Sequence, residues 1–359
     1  MLRKPAFHPL PRGTFGRTTC CPAHPALESA IMQIFKCPAC DKRVYLDNIA
    51  CRCGHAVTYH PEINTMRTEG APCANRDTIG CNWLAEDTGF CRSCVMTHTV
   101  PDMDAATNAE LWATTASVKR YMLVNLAHWG WFTDRDPGAR PGFRLLSEQT
   151  ATGQSRVVMG HASGVITINV TEASEAIRVE RREELGELYR TMIGHMRHEM
   201  AHFLHLRLSA DPAFNADFRA LFGDEREDYG AALKRHYDAP QSASDDHITS
   251  YATSHPHEDW AETTAHLLHL VDLLDSAAAA GLALPGGPPA GYNAYDEPDT
   301  NRLIRHAVDM AIAINHVNRA LELPDLYPFI LGAGVRKKLA FIHDHLRRGP
   351  MGQAKPSAA

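Results

Sequence analysis

Not one cysteine follows Cys94 in a chain of 359 residues that contains ten. Disulfide staples spread over the fold are therefore excluded, and clustering between Cys20 and Cys94 points to thiolate metal ligands in a reducing compartment. No run approaches the roughly 18 to 20 uninterrupted apolar residues of a membrane-spanning helix, and no early apolar stretch is long enough for a secretory leader. The expected location is the cytoplasm, with no membrane partner. Basic residues are also in deficit, because 36 Lys and Arg against 42 Asp and Glu give a net charge of −6. That balance lacks the electrostatic footprint of a phosphate-backbone binder and makes nucleic acid a poor partner. No internal repeat is apparent, which excludes a solenoid or propeller.

What remains is an ordinary globular composition, 44% hydrophobic and 22% charged. Residues 1–33 carry one acid, Glu28, and prolines at 5, 9 and 11, and they are expected to form a disordered extension. Met32, just before Phe35 and the first cysteine pair, offers an alternative start that would leave Cys20 and Cys21 without a role. Residues 34–100 read as a cysteine-rich region, 101–347 as the catalytic domain, and 348–359 as a disordered tail. Helical spacing of apolar residues predicts helices over Asn108–Trp131, Ile177–Leu208, Glu258–Ala280, Asn301–Leu321 and Val335–Leu346. Two β-like runs, Arg156–Met159 and Val165–Val170, suggest a small antiparallel sheet before the second helix. The Pro- and Gly-rich stretch Leu284–Asp299 reads as a mobile loop. The expected fold class is thus α+β and mainly helical.

His198-Glu199-Met200-Ala201-His202 carries the chemistry. A spacing of four places both imidazoles on one helix face about one turn apart, within reach of a single zinc ion. Glu199 then stands beside the open position, where a general base takes a proton from water. His195 and His205 lie too far apart along the axis to join the same ion, and their expected places are behind the site or on the surface. Catalytic zinc needs a third protein ligand. Glu258 and Glu262, again four apart at a helix start, offer one carboxylate for the metal and one to orient an imidazole. His255, His257 and His266 compete for the same role. The metzincin pattern is absent, since Phe203 to Leu208 holds neither its glycine nor its third histidine at the required place.

Tyr251, Glu258 and Glu262 resemble the gluzincin arrangement of the anthrax lethal factor catalytic domain. More closely, the chain from Met32 resembles the bacterial putative zinc-binding metallopeptidase family with an N-terminal zinc-ribbon region. The matching words are Phe35-Lys36-Cys37-Pro38-Ala39-Cys40, Cys81-Asn82-Trp83-Leu84, Ile166-Thr167-Ile168-Asn169, Met196-Arg197-His198-Glu199, Phe222 to Arg226 and Glu258-Asp259-Trp260-Ala261-Glu262. The resemblance implies a gluzincin-type (zincin) catalytic domain and a zinc-dependent metallopeptidase acting on a protein or peptide substrate. It also implies Glu258 as ligand, Glu262 behind it, Tyr251 on the oxyanion, and Val165–Val170 as the sheet edge that receives extended substrate.

Cys37, Cys40, Cys51 and Cys53 resemble a zinc ribbon whose second knuckle is C-x-C where C-x2-C is usual, so His55 or His60 could replace one thiolate. Cys73, Cys81, Cys91 and Cys94 offer a second structural site. Modules this short bury too little surface to fold without a staple. The expected cofactor complement is three zinc ions, one catalytic and two structural. A non-catalytic scaffold that recruits a partner through its ribbons is the alternative, but scaffolding needs no base at Glu199.

Overall fold

The computed structural model describes residues 34–178, 191–327 and 330–350. The expected extension 1–33 with Cys20 and Cys21, the tail from residue 351, and residues 179–190 of the expected helix Ile177–Leu208 lie outside them. Among the described residues no helix is long and apolar enough to cross a membrane.

The cysteine-rich region opens with two antiparallel hairpins, β1 (Ile34–Lys36) with β2 (Arg43–Tyr45) and β3 (Thr58–His60) with β4 (Thr65–Arg67). Two single helical turns follow, α1 (Arg76–Ile79) and α2 (Arg92–Val95). Such short elements are held from outside, and here the support is α3 (Asn108–Ala127). Ser117 donates to Asp47 at 2.8 Å, and the buried Arg92 is enclosed by Glu62, Glu86 and Asp134. The expected run of this helix to Trp131 is too long. After Ala127 the chain turns at Gly130 and Phe132, both with positive φ, which lets the buried Trp131 donate to Leu346 O at 2.9 Å.

The main sheet has the order β5 (Thr97–Thr99), β6 (Gly142–Leu146), β10 (Val165–Asn169), β9 (Gly160–Ala162), and a small hairpin pairs β7 (Gln149–Thr150) with β8 (Gly153–Gln154). This corrects three expectations. The sheet is mixed, with β5–β6 and β6–β10 parallel and β10–β9 antiparallel. Arg156–Met159 forms no strand: Val157 and Met159 are only half-buried and Val158 stays 69% exposed. Val165–Asn169 is an interior strand with Ile166 and Ile168 fully buried, while the outermost position is taken by β9. Ser163 and Gly164, both at positive φ, form the two-residue turn that folds β9 onto β10.

Among the described residues the fold continues with α4 (Met192–Leu208), α5 (Pro212–Phe222), α6 (Tyr229–Asp238), α7 (Pro256–Ala280), α8 (Thr300–Ala320) and α9 (Ala333–Arg347). Helix α4 starts later than expected because Thr191 is extended and its side chain caps Gly194 N at 3.0 Å. Helices α5 and α6 were absent from the sequence reading. Leu284–Asp299 is irregular, as expected of a loop, with residues 284–293 exposed or half-buried and its second half anchored by Tyr295, which is 2% exposed and whose hydroxyl accepts from Asn125 at 2.5 Å. The class is α+β and mainly helical with small separate sheets, and α4 and α7 pack against each other at its centre.

Candidate metal centre

Both imidazoles of the pentapeptide project from α4 toward the first turn of α7, where Glu258 sits. That turn is fixed by Pro256 at the helix start and by His255 Nδ1, which accepts from His257 N at 3.1 Å. A carboxylate in a first turn is also favoured by the helix dipole. His198 Nε2 lies 3.2 Å from His202 Nε2 and 3.0 Å from Glu258 Oε2, and His202 Nε2 lies 3.5 Å from Glu258 Oε1. Two nitrogens held tetrahedrally at zinc distance lie about 3.3 Å apart, so these donors are spaced as one ion would require. Glu258 is 1% exposed and Glu199 8%. Glu199 Oε2 has no hydrogen-bond partner among the described residues, a costly arrangement unless water or a substrate group meets it.

The surroundings prepare His198 for a metal. Its Nδ1 lies 2.7 Å from Glu262 Oε1, and Thr249 donates to the other oxygen of Glu262 at 2.9 Å. A proton on Nδ1 leaves the Nε2 lone pair for the ion. Burial works against charge on His198, yet the flanking carboxylates of Glu258 and Glu262 raise its pKa well above the ordinary histidine value. Burial likewise works against the Glu258 carboxylate, and the two imidazoles hold its pKa well below the usual range. The Glu199 carboxyl is raised by burial, an effect reduced by the same imidazoles.

The three competing histidines go elsewhere. His255 meets Glu227 O at 3.3 Å, His257 meets His205 edge to face with ring centroids 4.8 Å apart, and His266 Nδ1 lies 2.8 Å from the Tyr327 hydroxyl. His195 pairs with the buried Glu172 at 3.2 Å. His205 is not a surface residue. It is buried among Phe214, Phe218 and Trp260, and burial pushes its pKa down to about 3. Tyr251 lies with its ring 6.1 Å from that of His198.

Sequence reasoning missed two residues here. The Tyr229 hydroxyl donates to Glu258 Oε1 at 2.8 Å. Burial and the Glu258 carboxylate push the pKa of both Tyr229 and Tyr251 upward, which keeps them as donors. His161 on β9 stacks near His202, with ring centroids 6.5 Å apart. Asp228, which caps α6, was a readable signal for the helix that carries Tyr229.

The cysteines gather in two groups of four. In the first, Cys37 and Cys53 are 3.8 Å apart and Cys40 and Cys51 3.6 Å. Thiolates on one tetrahedral zinc lie about 3.8 Å apart, which these pairs match. Cys53 belongs to the group despite the short C-x-C spacing, and His55 stands beside it at 3.5 Å without joining the four donors. The second group joins Cys73, Cys81, Cys91 and Cys94.

Residues 108–345 match a family model described as putative zinc-binding metallo-peptidase, and residues 34–71 match a zinc-ribbon domain. Proteins from Mycobacterium bovis and Mycobacterium tuberculosis, both carried as uncharacterized, are 38% identical over 330 residues, covering 87% of this chain and 94% of theirs. No solved structure matches.

Proposed function

This chain belongs to the putative zinc-binding metallo-peptidase family, and from that premise we propose that it hydrolyses peptide bonds in a protein or peptide, with zinc at His198, His202 and Glu258. The observation that carries the reading is the convergence of these three donors, 3.0 to 3.5 Å apart, beside an unpartnered buried Glu199.

Zinc bound there supplies Lewis acidity toward the scissile carbonyl and brings the pKa of water toward neutrality. Glu199 takes the proton from the attacking water and returns it to the departing amine. Tyr251 donates toward the carbonyl oxygen as negative charge develops. Glu262 holds His198 in the tautomer that presents Nε2, and Tyr229 fixes the Glu258 carboxylate. An extended substrate can add to the free edge of β9, which reaches the centre through His161. A buried base with no structural partner favours this reading over a scaffold. The Cys37, Cys40, Cys51 and Cys53 group is the structural zinc of the ribbon.

The test is a digest of proteome-derived peptides by the zinc-loaded full chain, with new termini read by mass spectrometry. Cleavage should stop with phenanthroline and return with added zinc. Absence of any chelator-sensitive cleavage would contradict the proposal.

A further inference from the structure

The second cysteine group falls in residues 72–107, between the two family matches. Its four sulfurs lie within 4.8 Å of one another, with Cys81 3.5 Å from Cys91 and 3.9 Å from Cys94. All four are free thiols, and Cys73, Cys81 and Cys91 are buried. The Cys91 backbone N–H points at Cys73 Sγ at 3.3 Å, a donor suited to a thiolate. Four converging sulfurs and a backbone donor in a buried pocket form a tetrahedral S4 site.

The position of this group sets it apart from the ribbon. Cys91 is the N-cap of α2, Cys94 lies within it, and β5 starts at Thr97, so the knuckle runs directly into the main sheet. Phe143 N donates to Met96 O at 2.7 Å, which ties the end of the knuckle to β6. Lys119 of α3 then clamps the junction. Its buried ammonium donates to Ser93 O at 2.7 Å and to the Thr97 hydroxyl, and stands 4.8 Å from the centre of the Phe143 ring. Strand β6 pairs in turn with β10, which packs against α4, the helix that carries His198 and His202.

We propose that Cys73, Cys81, Cys91 and Cys94 hold a structural zinc ion whose binding orders three of the four strands of the main sheet, so that the order of β5, β6 and β10 depends on this metal and not on the ribbon metal. The ion supplements the few apolar side chains, Ile79, Trp83 and Met96, that a segment this short buries.

Zinc content by native mass spectrometry and hydrogen exchange of residues 142–146 and 165–169 test the coupling without reading activity. Cys37→Ser with Cys40→Ser should remove one zinc and leave amide protection in both strands within about twofold. Cys91→Ser should remove one zinc, lower protection there at least tenfold and lower Tm by about 10 °C or more. A Cys91→Ser chain that keeps its zinc, or loses it with both strands still protected, overturns the proposal. If Cys91→Ser does not fold, the full chain carrying Cys37→Ser, Cys40→Ser and His202→Ala replaces it, since the second group is then its remaining site. One zinc should be bound, and chelating it should abolish strand protection. Binding no zinc, or protection that survives chelation, overturns it equally.

Discussion

Replacing Glu199 with Gln should lower peptide hydrolysis by about a hundredfold to ten-thousandfold while leaving the zinc content unchanged. The amide keeps the shape of the carboxyl but accepts no proton. Glu199 lies outside the donor group His198, His202 and Glu258, so its loss spares the metal. It is also 8% exposed, so bulk water cannot readily stand in as base. The check is kcat on a cleaved peptide beside zinc measured on the same preparation. A Glu199→Gln protein that cleaves at the parental rate excludes this carboxylate as base, whereas one that loses both zinc and activity makes it a ligand.

The second large effect is on stability. Lys338 of α9 reaches Asp259 at 2.5 Å and Asp246 O at 2.6 Å, and Lys338 and Asp259 are 4% and 1% exposed. Asp259 directly follows Glu258, so this buried pair fastens the C-terminal helix to the turn that presents the third metal donor. Helix α9 also begins in a tight fit, since a Cβ on Gly332 would stand 2.5 Å from the Asp245 backbone. Lys338→Met should cost about 3–5 kcal/mol, because it strands an uncompensated carboxylate. A second substitution, Asp259→Leu, should restore most of that loss.

The pH dependence follows from the sign of the Asp259 shift. Burial raises its pKa even against the opposing Lys338 ammonium, and removing the ammonium raises it further. A group with a raised folded pKa binds its proton more tightly when folded, so its stabilising effect is present below the unfolded value of about 3.9 and is lost as pH rises through the folded pKa. The deficit of Lys338→Met should therefore shrink toward pH 4 and be largest near neutrality. Urea unfolding across that range checks it, and a loss below about 1 kcal/mol at pH 7 would show that the pair contributes little.

Local spacing made part of the site legible. Histidines four apart on a helix share a face whatever surrounds them, and structure brings His198 and His202 to within 3.2 Å. Glu258 is 56 positions beyond His202, and choosing it over Glu262 needed the resemblance. What failed was tertiary. Tyr229 meets Glu258 because the start of α6 comes to the first turn of α7, and no periodicity around Tyr229 reports that. Of the two places open to His205, behind the site or on the surface, the second fails because the aromatic helix α5 covers it, a helix whose Phe214, Phe218 and Phe222 repeat every four residues. The order of strands across a sheet is likewise invisible to alternation, so no local signal could check the edge position that the resemblance implies for Val165–Val170, and Val165–Asn169 is interior.

The central claim is that one ion is shared by two turns of α4 and the first turn of α7. A zinc-edge anomalous difference map from crystals of the zinc-loaded full chain tests it most directly. The strongest non-cysteine peak should lie at bonding distance, roughly 2.0–2.2 Å, from His198 Nε2, His202 Nε2 and a Glu258 oxygen. A zinc-loaded crystal with both cysteine groups occupied and no density between these three side chains would contradict it.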